Sequence, residues 1–120
     1  MDASEYGVMR KCEDSHWWYV ALHEFVMDQL LQSIKGLVNP IVLDAGCGTG
    51  GLLERIENQG ITACGLEPSP IAFQELNSRP LNALVQGDLL RTPFADSSFD
   101  TVSSQDVLCV FHQKQVLEAL

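Results

Sequence analysis

Three observations predict an α/β fold built on a doubly wound parallel sheet. Short, continuously apolar runs alternate along the chain with segments of helical spacing. A glycine-dense loop directly follows the first of these runs, where a strand would hand over to a helix. The length, 120 residues with 46% hydrophobic and 19% charged, suits one globular core and not two.

Residues 1–120 are therefore read as one domain, with 1–38 a helical cover and 39–120 the sheet-bearing core. Trp17, Trp18, Ala21, Leu22, Phe25, Val26, Gln29, Leu30 and Ile34 recur at helical spacing from about residue 16 to Lys35, with Ser15 as the expected N-cap and Gly36 as the C-cap. Adjacent tryptophans cannot share one helical face. One is expected to enter the core, while the other packs or, with Tyr19, lines a cleft. After Asn39-Pro40, Ile41-Val42-Leu43 reads as a strand buried on both faces.

Leu52 to Asn58 follows as a helix closed by Gly60, then a strand over Ile61 to Leu66. Ser69 is expected to cap a helix over Pro70 to Asn77. Leu81 to Val85 and Phe99 to Ser103 supply two further strands, and Lys114 to Leu120 begins another helix. Right-handed crossovers between parallel strands place helices on both faces of the sheet.

Seven Lys and Arg against 16 Asp and Glu give a net charge of −9. Nucleic-acid affinity comes largely from basic side chains displacing counterions, so this balance argues against a nucleic-acid partner and equally against anionic membranes. With no apolar run of membrane-spanning length and no signal-peptide h-region, a cytoplasmic location is expected. The four cysteines form no C-x-x-C pair, and Cys12 with His16 and His23 lacks a fourth ligand, so no metal is expected.

The informative stretch is Asp44-Ala45-Gly46-Cys47-Gly48-Thr49-Gly50-Gly51. Glycines remove the Cβ and permit positive φ, so a ligand can approach the main chain while the next helix presents its N–H groups. Seventeen residues beyond Gly50, Glu67 stands at the end of the second strand, where a carboxylate is placed to accept hydrogen bonds from ribose hydroxyls. A nucleoside-containing ligand follows. Gly46, Gly48 and Gly51 also satisfy the dinucleotide fingerprint G-x-G-x-x-G. Asp44 at the loop mouth would repel a pyrophosphate and favours a ligand with an ammonium or sulfonium group.

Gly87-Asp88-Leu89-Leu90-Arg91-Thr92-Pro93-Phe94, followed by Asp96-Ser97-Ser98-Phe99-Asp100, is a third signal. Taken together, Val42 to Gly50, Gly65-Leu66-Glu67-Pro68-Ser69 and Gly87 to Asp100 resemble the successive motifs of class I S-adenosylmethionine-dependent methyltransferases, over about residues 40–110. The resemblance implies a Rossmann-like sheet with strand order 3-2-1-4 and S-adenosylmethionine as cofactor. By that resemblance the loop around Gly46, Cys47, Gly48 and Gly50 would hold the methionine part, with Asp44 orienting its amino group. Glu67 would take the ribose, Pro68 the adenine face, and Asp88 with the Leu89 N–H the adenine edge.

Gln105 would contact the region of the transferred methyl, and a small-molecule methyl acceptor is expected from the branch resembled. Where that branch often carries Glu-His, this chain has Cys109-Val110, so no catalytic residue is assigned. His16, Asp106 and His112 are the remaining candidates. The family's sheet has further C-terminal strands, so this chain is expected to be the cofactor-binding part of such an enzyme, with an exposed fourth strand inviting self-association. The alternatives are an NAD(P)-binding oxidoreductase domain, on the strength of the fingerprint, and a non-catalytic interaction domain.

Overall fold

The computed structural model describes residues 3–88 and 90–104. Leu89, Gln105, Asp106, His112 and the helix expected from Lys114 lie outside them. Two N-terminal helices, α1 (Ala3–Cys12) and α2 (Trp17–Ser33), precede β1 (Ile41–Ala45), α3 (Gly51–Asn58), β2 (Thr62–Glu67), α4 (Pro70–Glu75) with a 3-10 turn over Leu76–Ser78, β3 (Leu84–Gln86) and β4 (Thr101–Ser104). The strands form a parallel sheet in the order β3-β2-β1-β4, as the resemblance implies. The order reverses between β1 and β4, the place where open α/β sheets form their ligand crevice beyond the strand C-termini.

The central strand β1 is buried from Val42 to Ala45 because it has neighbours on both edges and cover on both faces; among the described residues the helices lie on one face, and the other, where helices were also expected, is covered by the segment of Phe94 and Phe99. On one face, Leu53 and Ile56 of α3 pack with Val42, Ala63, Leu76 and, from α2, Met27, Leu30 and Ile34. On the other, Leu43, Ala45 and Leu66 meet the edge-to-face pair Phe94 and Phe99. Trimming Leu53 or Leu66 to alanine in such a setting costs about 2 to 5 kcal/mol. Ser69 caps α4 as expected, its hydroxyl accepting the Ala72 N–H, and Pro70 occupies the first turn, where a missing N–H costs nothing.

Several expectations change at the N-terminus. The cap of α2 is His16, whose Nδ1 accepts the Trp18 N–H at 3.3 Å; Ser15 is not the N-cap. The helix gives way at Ile34, two residues before Gly36 adopts a left-handed φ of 82°. The buried face of α2 is His23, Met27, Leu30 and Ile34, and neither tryptophan enters the core. Apolar residues surround this helix, so spacing alone did not select the stripe that meets α3. Helix α1 has no apolar periodicity to announce it. It is held by docking against α4, with the Arg10 guanidinium donating to the Ser78 hydroxyl at 2.6 Å.

Candidate functional site

The strand C-termini bring the expected residues to one edge of the sheet. Asp44, next to last in β1, lies beside Gly65, and Glu67 ends β2 beside Gln86, two residues before Asp88. Between β1 and α3 the chain turns through Gly46, Gly48 and Gly50, with φ of 74°, 58° and 87°. These left-handed angles are why glycine is used here. Gly50 is also crowded: a Cβ on it would stand 2.7 Å from Leu76 Cδ2 and 3.0 Å from Leu81 Cδ1.

The loop is fastened from inside. Its Gly46 and Cys47 N–H groups both donate to the Leu66 carbonyl, at 2.6 and 3.0 Å. Glu67 is buried and bridges two segments, Oε1 accepting the Gly48 N–H and Oε2 the Ser69 N–H, each at 2.8 Å. The carboxylate expected to hold a ribose therefore already orders the loop and the turn into α4. Asp88 lies exposed and caps its own turn, Oδ1 accepting the Leu90 N–H at 3.0 Å. Pro68, directly after Glu67, is exposed as well. The Cys47 side chain points into the core beneath the loop, and burial pushes its thiol well above the ordinary range, so it is inert.

Residues that no local sequence signal marked complete the site from behind. Glu13, between α1 and α2, is 1% exposed. Its Oε1 accepts from the Thr49 hydroxyl and from Arg79 Nη2, the latter at 2.5 Å. Arg79 in turn donates Nε to the Thr49 carbonyl at 2.7 Å and pairs with Asp14 and Glu54. Burial opposes the Arg79 charge, but these carboxylates outweigh it and hold its pKa above the ordinary arginine value. The guanidinium joins the N-terminal segment, the glycine loop and α3 into one body.

The carboxylates of the site act on one another. Burial, then Glu13, then Glu67 raise the Asp44 pKa from 3.8 to about 7. His23 offers no counter-charge, since burial first, then Arg55 and Arg79, lower its pKa to about 4. A cation entering this space would relieve the repulsion, whereas a pyrophosphate would add to it. Among the described residues no three His, Cys, Asp or Glu side chains are grouped so as to hold a metal ion. His16 caps α2 at the surface, a structural task.

Residues 43–120 match the family model described as a methyltransferase domain. An uncharacterized methyltransferase of Geobacillus thermodenitrificans is 32% identical over 81 residues, covering 64% of this chain and 37% of that protein. A tRNA U34 carboxymethyltransferase of Histophilus somni is 32% identical over 124 residues, covering 96% of this chain and 35% of its own length. The chain thus spans little more than a third of these curated relatives. In fold it is similar to an amino pentose methyltransferase from Micromonospora echinaspora solved with S-adenosylmethionine bound, at TM-score 0.73 and 22% identity, covering 99% of this chain and 49% of that one. Because one relative modifies tRNA, the scarcity of basic residues does not by itself decide the acceptor class.

Proposed function

The chain belongs to the class I S-adenosylmethionine-dependent methyltransferase family, and from that premise we propose that it forms the cofactor-binding part of an enzyme that methylates a small molecule. One observation carries the reading: a glycine loop whose buried carboxylates, Asp44 above all, are matched to a cationic adenosyl ligand and mismatched to a pyrophosphate. Glu67 takes the ribose hydroxyls, exchanging its hold on Gly48 and Ser69 for bonds to the ligand. Asp44 faces the amino group of the methionine part, with the main chain from Gly46 to Gly50 beneath it. Pro68 and Asp88 flank the adenine; Leu89 and Gln105, outside the described residues, are assigned cofactor contacts by the resemblance alone.

The sulfonium of S-adenosylmethionine supplies an activated methyl group, so the difficult chemistry is the cofactor's. What the chain must do is hold the ligand still and dry. The alignment of nucleophile and methyl that such holding permits contributes about 7 to 11 kcal/mol in favourable cases. A net charge of −9 with seven basic residues supports a small acceptor over tRNA and fits a cytoplasmic setting. Among the described residues no helix is long and apolar enough to cross a membrane.

Isothermal titration with S-adenosylmethionine, S-adenosylhomocysteine and NAD tests the reading. Both adenosyl ligands are expected to bind, with affinity reduced about tenfold or more in Glu67→Ala, because hydrogen bonds to a charged acceptor are lost. Binding of NAD in preference to them overturns it in favour of the oxidoreductase alternative.

A further inference from the structure

The middle of the glycine loop is held twice. Gly48 donates its N–H to Glu67 Oε1 at 2.8 Å, and Thr49, next in sequence and 0% exposed, is held by a different set of residues. The Thr49 hydroxyl donates to Glu13 Oε1, and the Thr49 carbonyl accepts from Arg79 Nε at 2.7 Å. Arg79 Nη2 closes the ring by donating to the same Glu13 oxygen at 2.5 Å, while Nη1 reaches Asp14 at 3.1 Å and Glu54 in the first turn of α3. Thr49 is thus clamped at both its side chain and its main chain.

A ligand acts differently on the two holds. In the function proposed above, Glu67 gives up Gly48 and Ser69 when ribose hydroxyls arrive, and the clamp on Thr49 is then what still fixes the middle of the loop. Thr49 lies between Gly48 and Gly50, whose φ are 58° and 87°, and glycine has more backbone freedom to regain on release than any other residue. A loop that loosened as Glu67 let go would have to be ordered again by the ligand, and that ordering subtracts from affinity. Arg79 does not itself meet the ligand. Its side chain is 1% exposed, and each of its three nitrogens is already engaged.

We infer that Arg79 is a positioning residue for the cofactor, acting through Thr49: together with Glu13 it fixes the main chain of the glycine loop independently of Glu67, so the loop keeps its shape while Glu67 changes partners. The inference rests on the cofactor reading above and extends it to a guanidinium 30 positions from the loop in sequence. It also gives the buried cluster a task that stability alone does not require, since Thr49 is engaged through both its hydroxyl and its carbonyl.

Calorimetry with two ligands tests it on variants that circular dichroism shows to be folded. S-adenosylhomocysteine carries the amino-acid end that the loop would receive, whereas 5′-deoxy-5′-methylthioadenosine keeps only the nucleoside and thioether. Arg79→Lys retains a positive charge for Glu13 but, as a compact point donor, cannot also hold the Thr49 carbonyl and Glu54. Its affinity for S-adenosylhomocysteine is expected to fall about tenfold, the scale of a lost charge-assisted hydrogen bond, while that for methylthioadenosine stays the same. Thr49→Val removes only the hydroxyl, so a loss of about threefold confined to S-adenosylhomocysteine is expected, and Thr49→Ser, which keeps the hydroxyl, should bind as the unaltered chain does. Should Arg79→Lys not fold, the two threonine variants decide. Equal loss of both ligands, loss of neither, or a Thr49→Ser variant as weak as Thr49→Val overturns the inference and leaves the cofactor reading standing. Failure of both ligands to bind the unaltered chain overturns the two together.

Discussion

The back of the glycine loop and the outer face of α2 invert the usual distribution of residues. Behind the loop, Glu13, Asp44, Glu67 and Arg79 are all buried. On α2, Trp17 is 71% exposed, and Trp18 and Phe25 are exposed as well. Single exposed aromatics are ordinary, whereas buried charges are unusual and carry information. The difference teaches where to look for function in this chain: at the polar groups it has enclosed.

The largest effect that would break the comparison belongs to Arg79. Replacing it by methionine leaves Glu13 buried without a counter-charge and the Thr49 carbonyl without its donor, so unfolding by urea should show a loss of about 3 to 5 kcal/mol. A loss below 1 kcal/mol would mean that the enclosed ion pair does not organise the loop. Next comes the pH dependence of Asp44. Its folded pKa of about 7 lies above the ordinary 3.8, so the folded chain keeps a proton that the unfolded chain has released. Stability from this group is therefore full below about pH 4 and declines as pH rises to about 7. Relative to the native chain, Asp44→Asn should gain roughly 3 to 4 kcal/mol across that window. Parallel stability profiles would show that Asp44 is not held protonated.

A smaller loss is expected from Gly50→Ala. Its φ of 87° and the Leu76 methyl 2.7 Å from a new Cβ together predict a cost of about 2 kcal/mol in thermal or chemical denaturation. Smallest of all, Trp17→Ser should change stability by no more than about 0.5 kcal/mol, since the side chain it removes is mostly in solvent. A larger loss there would bring the two regions together and weaken the contrast.

Much of this was legible in the sequence because it depends on near neighbours. The apolar run ending in Asp44, the glycines after it, the Ser69-Pro70 start of α4 and the placement of Glu67 are each readable within a few residues. The strand order was readable only through family resemblance. What could not be read depends on distant partners. Glu13 meets Arg79 across 66 positions of sequence, and α1 exists because it docks on α4. In α2, apolar residues on several sides made tryptophan the obvious core choice, yet the packed stripe runs through His23 and Met27.

The most direct test of the account is to count protons as the ligand binds. S-adenosylhomocysteine should be titrated into the chain at pH 7 in two buffers of different ionisation enthalpy. An ammonium arriving beside Asp44 lowers a pKa now near 7, so binding should release a substantial fraction of one proton, and Asp44→Asn should abolish the release. Binding with the same apparent enthalpy in both buffers would contradict the claim that the buried carboxylates of the loop await a cation.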